Sequence, residues 1–378
     1  MSDQQSPDAL ARFEGELAQH AYAFADGLFE SDRDQVFNRE GWGLCARLGI
    51  QAMNLPEAHG GSAVGYTEAA HRLERLGYHC RDNGLLLSLG AHMWGFQSAV
   101  VRFGTEQQLD SMVPKLVRGA MIGGLAVTEP AGPEPSAIST FAQETQTGFL
   151  LNGTKRYVTN GNTADVLLVI AKTGRDDSFL GLSAFLVDAR TPGVSAIRES
   201  TMGVRTSGVS TIRLEDVFVP FNYVLGGRNQ GWRIFNHAMN TERAMILAPT
   251  VGTICRLLES CTAFVRTRST ESRRLGSFQS VTNRLADMAV DLRACSALVR
   301  ALANDLDHDR LSRSGSCEAK LFLSDAWVRS SMNALAIHGG LGYLTQSDIE
   351  REVRDSFASQ IYSGTSDMQR NLIASWLL

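Results

Sequence analysis

Near its end the chain gathers residue types that suit a flat or anionic ligand. Gly339-Gly340-Leu341-Gly342-Tyr343 is a glycine turn, and a backbone without Cβ atoms can approach a ligand closely. Further on, Tyr362-Ser363-Gly364-Thr365-Ser366 is a turn entering a last helix, whose first N–H groups are unpaired donors. Ser363 is no base on its own, because a serine hydroxyl needs an activating partner. Upstream lies Glu242-Arg243, a dipeptide that reads by default as a helix-surface ion pair. Thr128, Tyr157 and Thr159 fall in strand-like runs, where cross-strand packing is the ordinary role. His92 with Met93-Trp94 reads as core packing ahead of a ligand-pocket lining, and His338, before the glycine pair, reads equally as a structural histidine or a ligand contact. Asp348, Glu350, Glu352 and Asp355 read as a solvated or subunit-facing charged face.

These residues must be positioned by a sizeable scaffold. With 378 residues the chain has room for two or three folded units and a large core. Its apolar content of 44% and charged content of 20% are ordinary for a globular protein. A net charge of -4 argues against sequence-independent nucleic-acid binding, which needs a basic field. Cys45, Cys80, Cys255, Cys261, Cys295 and Cys317 form no C-x-x-C pair, so buried reduced thiols are expected in place of disulfides or a zinc site. The opening Met1-Ser2-Asp3-Gln4-Gln5 lacks a basic and apolar leader, and no apolar run reaches about 18 residues. A soluble, cytoplasmic protein is the expectation.

The pattern is helical to about residue 122. Leu10, Phe13 and Leu17 share one helix face. Pro56 and Gly60-Gly61 mark a loop. Helices follow over 66–76 and 85–103, and Thr105 with Gln108 forms a capping box. Pro114 is expected in a first helical turn or at the start of a turn. From Gly123 to residue 223 the texture is β. Asn152-Gly153 predicts a hairpin turn, and 166–171, 183–187 and 211–219 predict strands. Long helices then return, with Leu285, Met288, Ala289, Leu292, Cys295, Val299 and Leu302 in one apolar stripe. The expected class is α+β, mainly α. A helical unit (1–122) and a small β-unit (123–223) precede a C-terminal helical bundle (224–378).

That order of elements, with six short motifs in sequence, resembles the acyl-CoA dehydrogenase family over nearly the whole chain. The motifs are Leu55-Pro56-Glu57-Ala58-His59-Gly60-Gly61, Gly104-Thr105-Glu106-Gln107-Gln108, Ala126-Val127-Thr128-Glu129-Pro130, and Gly153-Thr154-Lys155-Arg156-Tyr157-Val158-Thr159-Asn160-Gly161. Met202-Gly203-Val204-Arg205 and the Gly339 to Arg370 stretch complete the set. The resemblance implies FAD as cofactor. It sets Val127, Thr128, Tyr157 and Thr159 along the flavin ring, a flat body with edge acceptors that needs hydroxyl donors and an aromatic cover. It also assigns Thr365 and Asp367 to the cofactor, and Arg268, Gly339 and Gly340 to the diphosphate of a partner subunit's FAD. A tetramer, or a dimer, is implied.

The family reaction removes the proton α to a thioester and passes a hydride to the flavin. It requires a desolvated, aimed carboxylate. Many members carry that Glu where this chain has Ser363. The isovaleryl-CoA and long-chain members instead use a Glu before an Arg on the helix after the β-unit, which Glu242-Arg243 matches, with Arg243 positioning it. The implied activity is dehydrogenation of an acyl thioester, on CoA or an acyl carrier protein, in bacterial specialised metabolism such as polyketide biosynthesis. Electrons would pass to an electron-transfer flavoprotein or to oxygen. The alternatives are a flavin monooxygenase or oxidase, and a non-catalytic scaffold. Departures at Ala131–Ala137, with Glu134 and two prolines, and at Glu271-Ser272 predict a differently held adenosine end.

Overall fold

The computed structural model describes residues 7–132, 137–174, 179–270, 273–312 and 314–378. Helices come first: α1 (Pro7–Gln19), α2 (Leu28–Asp34), α3 (Arg39–Arg47), α4 (Tyr66–His79), α5 (Asn83–Gly90), α6 (Ser98–Phe103) and α7 (Glu106–Val117). A π-helical segment, Ala91–Gln97, joins α5 to α6. Phe13 and Leu17 are buried as the α1 periodicity predicts. The Thr105–Gln108 capping box is present at the start of α7. Pro114 lies inside α7, well past its first turn. It therefore removes one interior N–H from the helix rather than starting a new element.

The β-elements follow: β1 (Gly123–Ala126), β2 (Phe141–Glu144), β3 (Gly148–Val158), β4 (Val166–Lys172), β5 (Leu182–Asp188), β6 (Val194–Arg198), β7 (Ser210–Pro220) and β8 (Val224–Leu225). They form one mixed sheet in the order β6-β7-β3-β2-β4-β5-β8, with β1 parallel to β4. Asn152-Gly153 is not a hairpin turn. It sits inside β3, where the register against β7 shifts between Leu151 and Gly153. Gly153 takes φ +153° there, and a Cβ would lie 2.4 Å from Thr140 Oγ1, so the glycine serves a bulge. The turn itself comes earlier, closed by Thr145 N–H donating to Gly148 O at 2.8 Å. A second register shift, between Lys155 and Val158, contains Tyr157 at φ +57°.

The C-terminal helices are α8 (Gly231–Met245), α9 (Ala248–Thr267), α10 (Gln279–Asp307), α11 (Gly315–His338), α12 (Asp348–Ala358) and α13 (Ser366–Leu377). A small hairpin, β9 (Ser269–Thr270) and β10 (Arg273–Arg274), follows α9. In α10 the stripe buries Met288, Cys295, Val299 and Leu302, whereas Ala289 is exposed and Asp291 takes the buried place. The architecture is α+β, mainly helical. One described stretch, Gly231–Thr267, is long and apolar enough to cross a membrane, and 72% of its most apolar window is buried inside the protein. Five of the six cysteines are buried, and all six are free thiols.

Candidate active site

Helix α8 buries Ile234, Ala238, Thr241, Glu242 and Met245. Steps of four and three place Glu242 on the core-facing stripe. Its residue is 7% exposed. Burial pushes its carboxyl up to about 7, against the Ser363 hydroxyl and the Arg243 and Lys320 cations, which pull it down. Its Oε1 accepts a hydrogen bond from Ser363 Oγ at 2.5 Å. The π-helical segment brings Gly95 against the other oxygen, where a Cβ would sit 2.3 Å from Glu242 Oε2. Such segments add one residue to a helix turn and concentrate at functional sites. Arg243 does not pair directly with the carboxylate; its Nε donates to Ser363 O at 3.3 Å.

Two further residues stand at this site, Lys320 outside any local motif and Tyr362 in the turn before α13. Lys320, on α11, is buried, and its Nζ donates to Gly364 O at 2.8 Å. Burial, then the Arg243 cation, pushes its ammonium down to about 7. Tyr362 lies half-buried beneath it, with Nζ 5.9 Å from the ring centroid. Burial pushes the phenol well above its usual range. The signal for Lys320 is a lysine among buried helix positions, since Ala319 and Leu323 flank it in the core. Gly95 offers no comparable sign, because its role depends on a contact with α8.

A second group lies on the sheet. Tyr157 is 59% exposed at its left-handed position, with the Arg156 guanidinium 4.7 Å from its ring centroid. Val127, Thr128 and Thr159 are half-buried. Among the described residues neither threonine hydroxyl has a hydrogen-bond partner. The two motifs are joined to each other: Arg156 N–H donates to Thr128 O at 2.7 Å, and Lys155 Nζ donates to Val127 O at 3.0 Å and to Glu129 Oε1 at 2.7 Å. The Lys155–Glu129 pair is fully buried. Burial alone would raise Glu129, but Lys155 and the donors of Ser139 and Thr140 outweigh it and hold the carboxyl at about 2. Burial lowers the Lys155 ammonium to about 8, against the pull of Glu129.

The remaining predicted site residues form their own sets. Phe264 stacks on His338 at 4.3 Å, which sets the ends of α9 and α11 side by side. Exposed Arg268, Gly339 and Gly340 stand at those ends. Thr365 caps α13 by accepting from Met368 N–H at 3.2 Å. Asp367, in that first turn, is exposed and pairs with Arg370 at 3.2 Å. Glu134, Glu271 and Ser272 lie outside the described residues.

The histidine near Trp94 is a core residue. His92 Nδ1 accepts from Gly123 N–H at 2.9 Å, Nε2 lies 2.9 Å from the Gln97 amide, and burial lowers its pKa to about 3. The charged run is not a solvated face throughout. Arg351, Glu352 and Asp355 are buried. Arg256 donates to Glu352 at 2.8 Å, Asn83 bridges Glu352 and Asp355, and Val204 N–H donates to Asp355 at 2.6 Å. The donors on α5, α9 and the 202–205 loop explain why that side of α12 turns inward. Asp348 and Glu350 stay half-exposed on its outer side.

Comparison with known proteins covers the whole architecture. Models of the acyl-CoA dehydrogenase N-terminal, middle and C-terminal domains match residues 15–120, 124–217 and 229–378. An L-prolyl-peptidyl-carrier-protein dehydrogenase of Serratia sp. (strain ATCC 39006) is 31% identical over 372 residues, 97% of this chain and 96% of the relative. The crystal structure of the prolyl acyl carrier protein oxidase AnaB superposes with TM-score 0.93 at 36% identity, covering 100% of this chain and 99% of that one. The structure of PigA with FAD and proline superposes with TM-score 0.92 at 30% identity, over the same shares. With three domain models in order and full-length relatives of the same fold, the chain belongs to the acyl-CoA dehydrogenase family.

Proposed function

We propose that the chain is an FAD-dependent oxidoreductase that dehydrogenates a thioester, with Glu242 as the base that takes the proton α to the thioester carbonyl. The observation that carries this reading is the buried Glu242 carboxyl, raised to about 7 by burial. A carboxylate in water is too weak a base for a carbon acid; desolvation strengthens it and sets its pKa near neutral working pH. In this reading the helical unit 1–122 supplies Gly95, the β-unit 123–223 the flavin-facing residues, and the helical unit 224–378 Glu242 and Ser363.

The donor set on the sheet fits the cofactor. Tyr157 offers an exposed ring for the flat flavin, and the unpartnered hydroxyls of Thr128 and Thr159 match its edge acceptors. The Val127 carbonyl accepts from the buried Lys155 Nζ at 3.0 Å. Bound there, FAD supplies a two-electron acceptor. Thr365 and Asp367 would add contacts at the α13 turn, and Arg268, Gly339 and Gly340 would serve a neighbouring subunit's FAD in a homo-oligomer. Glu242 takes and later releases the proton, while Arg243 holds the turn that faces it.

Support for a carrier-bound substrate comes from the near full-length similarity to a prolyl-carrier dehydrogenase and to a prolyl acyl carrier protein oxidase. We therefore place the prolyl thioester first, ahead of simple acyl-CoAs, within bacterial specialised metabolism. The test is anaerobic mixing of the FAD-loaded protein with L-prolyl and acyl thioesters on carrier proteins and CoA. Flavin absorbance should bleach with the substrate class and not with Glu242→Gln. Bleaching that survives the substitution unchanged removes Glu242 as the base. Oxygen uptake without added dye identifies oxygen as acceptor; turnover only with an electron-transfer flavoprotein identifies the other route.

A further inference from the structure

The position that holds a catalytic Glu in many relatives is not idle in this chain. Ser363 Oγ donates to Glu242 Oε1 at 2.5 Å, from a residue 121 positions away. Ser363 stands at φ +55°, a region that a residue with a Cβ adopts only when its surroundings hold it there. Its surroundings do. The Ser363 carbonyl accepts from Arg243 Nε at 3.3 Å and Gln369 Nε2 at 3.1 Å. The next carbonyl, of Gly364, accepts from Lys320 Nζ at 2.8 Å and again from Gln369 Nε2 at 3.1 Å. Donors from α8, α11 and α13 thus converge on two successive carbonyls and fix the direction of one hydroxyl.

We propose that Ser363 is a positioning residue for Glu242: the clamped left-handed turn aims its hydroxyl at the carboxylate, orients it, and favours its ionised form. This rests on the reading of Glu242 as the base. Among the described residues no other donor is hydrogen-bonded to that carboxylate, and its second oxygen lies against Gly95. The charged and titratable groups facing Glu242 are Arg243 on its own helix, Lys320 on α11 and Tyr362 on the turn; Asp355 of α12 reaches Tyr362. Arg243 and Lys320 favour the ionised carboxylate from a distance, whereas Ser363 touches it. A donor to the charged form lowers a carboxyl pKa, so removing the hydroxyl moves Glu242 upward from about 7.

The test uses the full-length, FAD-loaded protein with Ser363→Ala, Ser363→Gly and Glu242→Gln. Glycine accepts the left-handed turn without strain, so that variant separates loss of the hydroxyl from loss of the fold. Glu242 is titrated directly through its infrared carboxyl band, identified by its disappearance in Glu242→Gln, and indirectly through the acid limb of kcat/KM. Both Ser363 variants should shift band and limb upward by roughly half to one pH unit. That shift lowers kcat/KM about two- to fivefold at pH 7, and the loss should shrink at high pH. Slower turnover with band and limb unmoved overturns the proposal and leaves Ser363 a structural residue. If Glu242→Gln keeps full proton abstraction, the base reading fails, yet the infrared titration still decides whether Ser363 sets the Glu242 pKa.

Discussion

Replacing Lys155 by methionine should loosen the sheet's proposed ligand face and destabilise the whole β-unit. Lys155 and Glu129 are both fully buried, 2.7 Å apart. Removing one partner of a buried pair typically costs about 3–5 kcal/mol, since the other charge is left unpaired. Glu129 would keep three donors, Ser139 N–H, Ser139 Oγ and Thr140 N–H, at 2.6, 2.5 and 3.0 Å, which argues for about 3 kcal/mol. Val127 O also loses its donor, adding about 1 kcal/mol. A total of about 4 kcal/mol corresponds to roughly 5 °C in Tm for a chain of 378 residues. Glu129→Gln acts differently: without its carboxylate, burial drives the Lys155 ammonium below its present value of about 8, and the lysine can neutralise. The double variant carries no buried charge, so its loss should fall short of the two single losses added together by about 2 kcal/mol. Urea and thermal unfolding of the four proteins, with FAD affinity measured alongside, check this. FAD affinity should fall about tenfold in Lys155→Met, because the 127–129 and 155–159 segments lose the tie through Lys155. Additive losses within about 0.5 kcal/mol, or a Lys155→Met loss below about 1 kcal/mol, would refute the role assigned to the pair.

Gly95→Ala places a methyl 2.3 Å from Glu242 Oε2, so the carboxylate must turn away; kcat should fall at least tenfold while the far-ultraviolet spectrum is kept. Tyr157→Gly removes an exposed ring and relieves a left-handed backbone; FAD binding should weaken about tenfold while apoprotein Tm holds or rises. The raised carboxyls give a signed pH dependence. Glu242 and Asp355 rise from 4.5 and 3.8 to about 7, both through burial. The folded state therefore binds more protons between about pH 4 and 7, and stability from these groups falls as pH rises through that window, by up to ~3 kcal/mol for Glu242 and ~4 kcal/mol for Asp355. Apoprotein Tm at pH 5 and 7.5 should show a smaller drop in Glu242→Gln than in wild type; an equal drop contradicts the assignment.

The periodic signals in the sequence located most helices and strands, because burial on one face is a local pattern. Asn152-Gly153 misled because the same dipeptide suits a hairpin turn and a bulge. Which one forms depends on Thr140 and on the β7 register, and neither is local. The charges of α12 misled for a similar reason. A run of Glu, Arg and Asp looks solvated until Arg256, Asn83 and the Val204 N–H arrive from three distant segments. Glu242 was the more legible residue. It continues the spacing of Ile234 and Ala238, and a carboxylate on an apolar stripe must find a partner or a use, because desolvating a charge is costly.

The partner it finds shows why the site could not be read from motifs alone. The residue types at Ser363 and Glu242 suggest one lost and one retained function. Their contact makes them parts of one device, assembled from α8, α11, α13 and the π-helical segment. Each part breaks a local rule: a serine at positive φ, a lysine and a glutamate in the core, a helix with an added residue. Chains tolerate such conflicts where the surroundings over-determine them, and mostly where chemistry requires it. Here the conflicts meet at one carboxylate. That convergence, more than the identity of any one residue, supports a working base at Glu242 over a scaffold whose chemistry has lapsed, since a lapsed site would have no need to keep a strained serine aimed at the carboxylate and a buried lysine holding the turn that carries it.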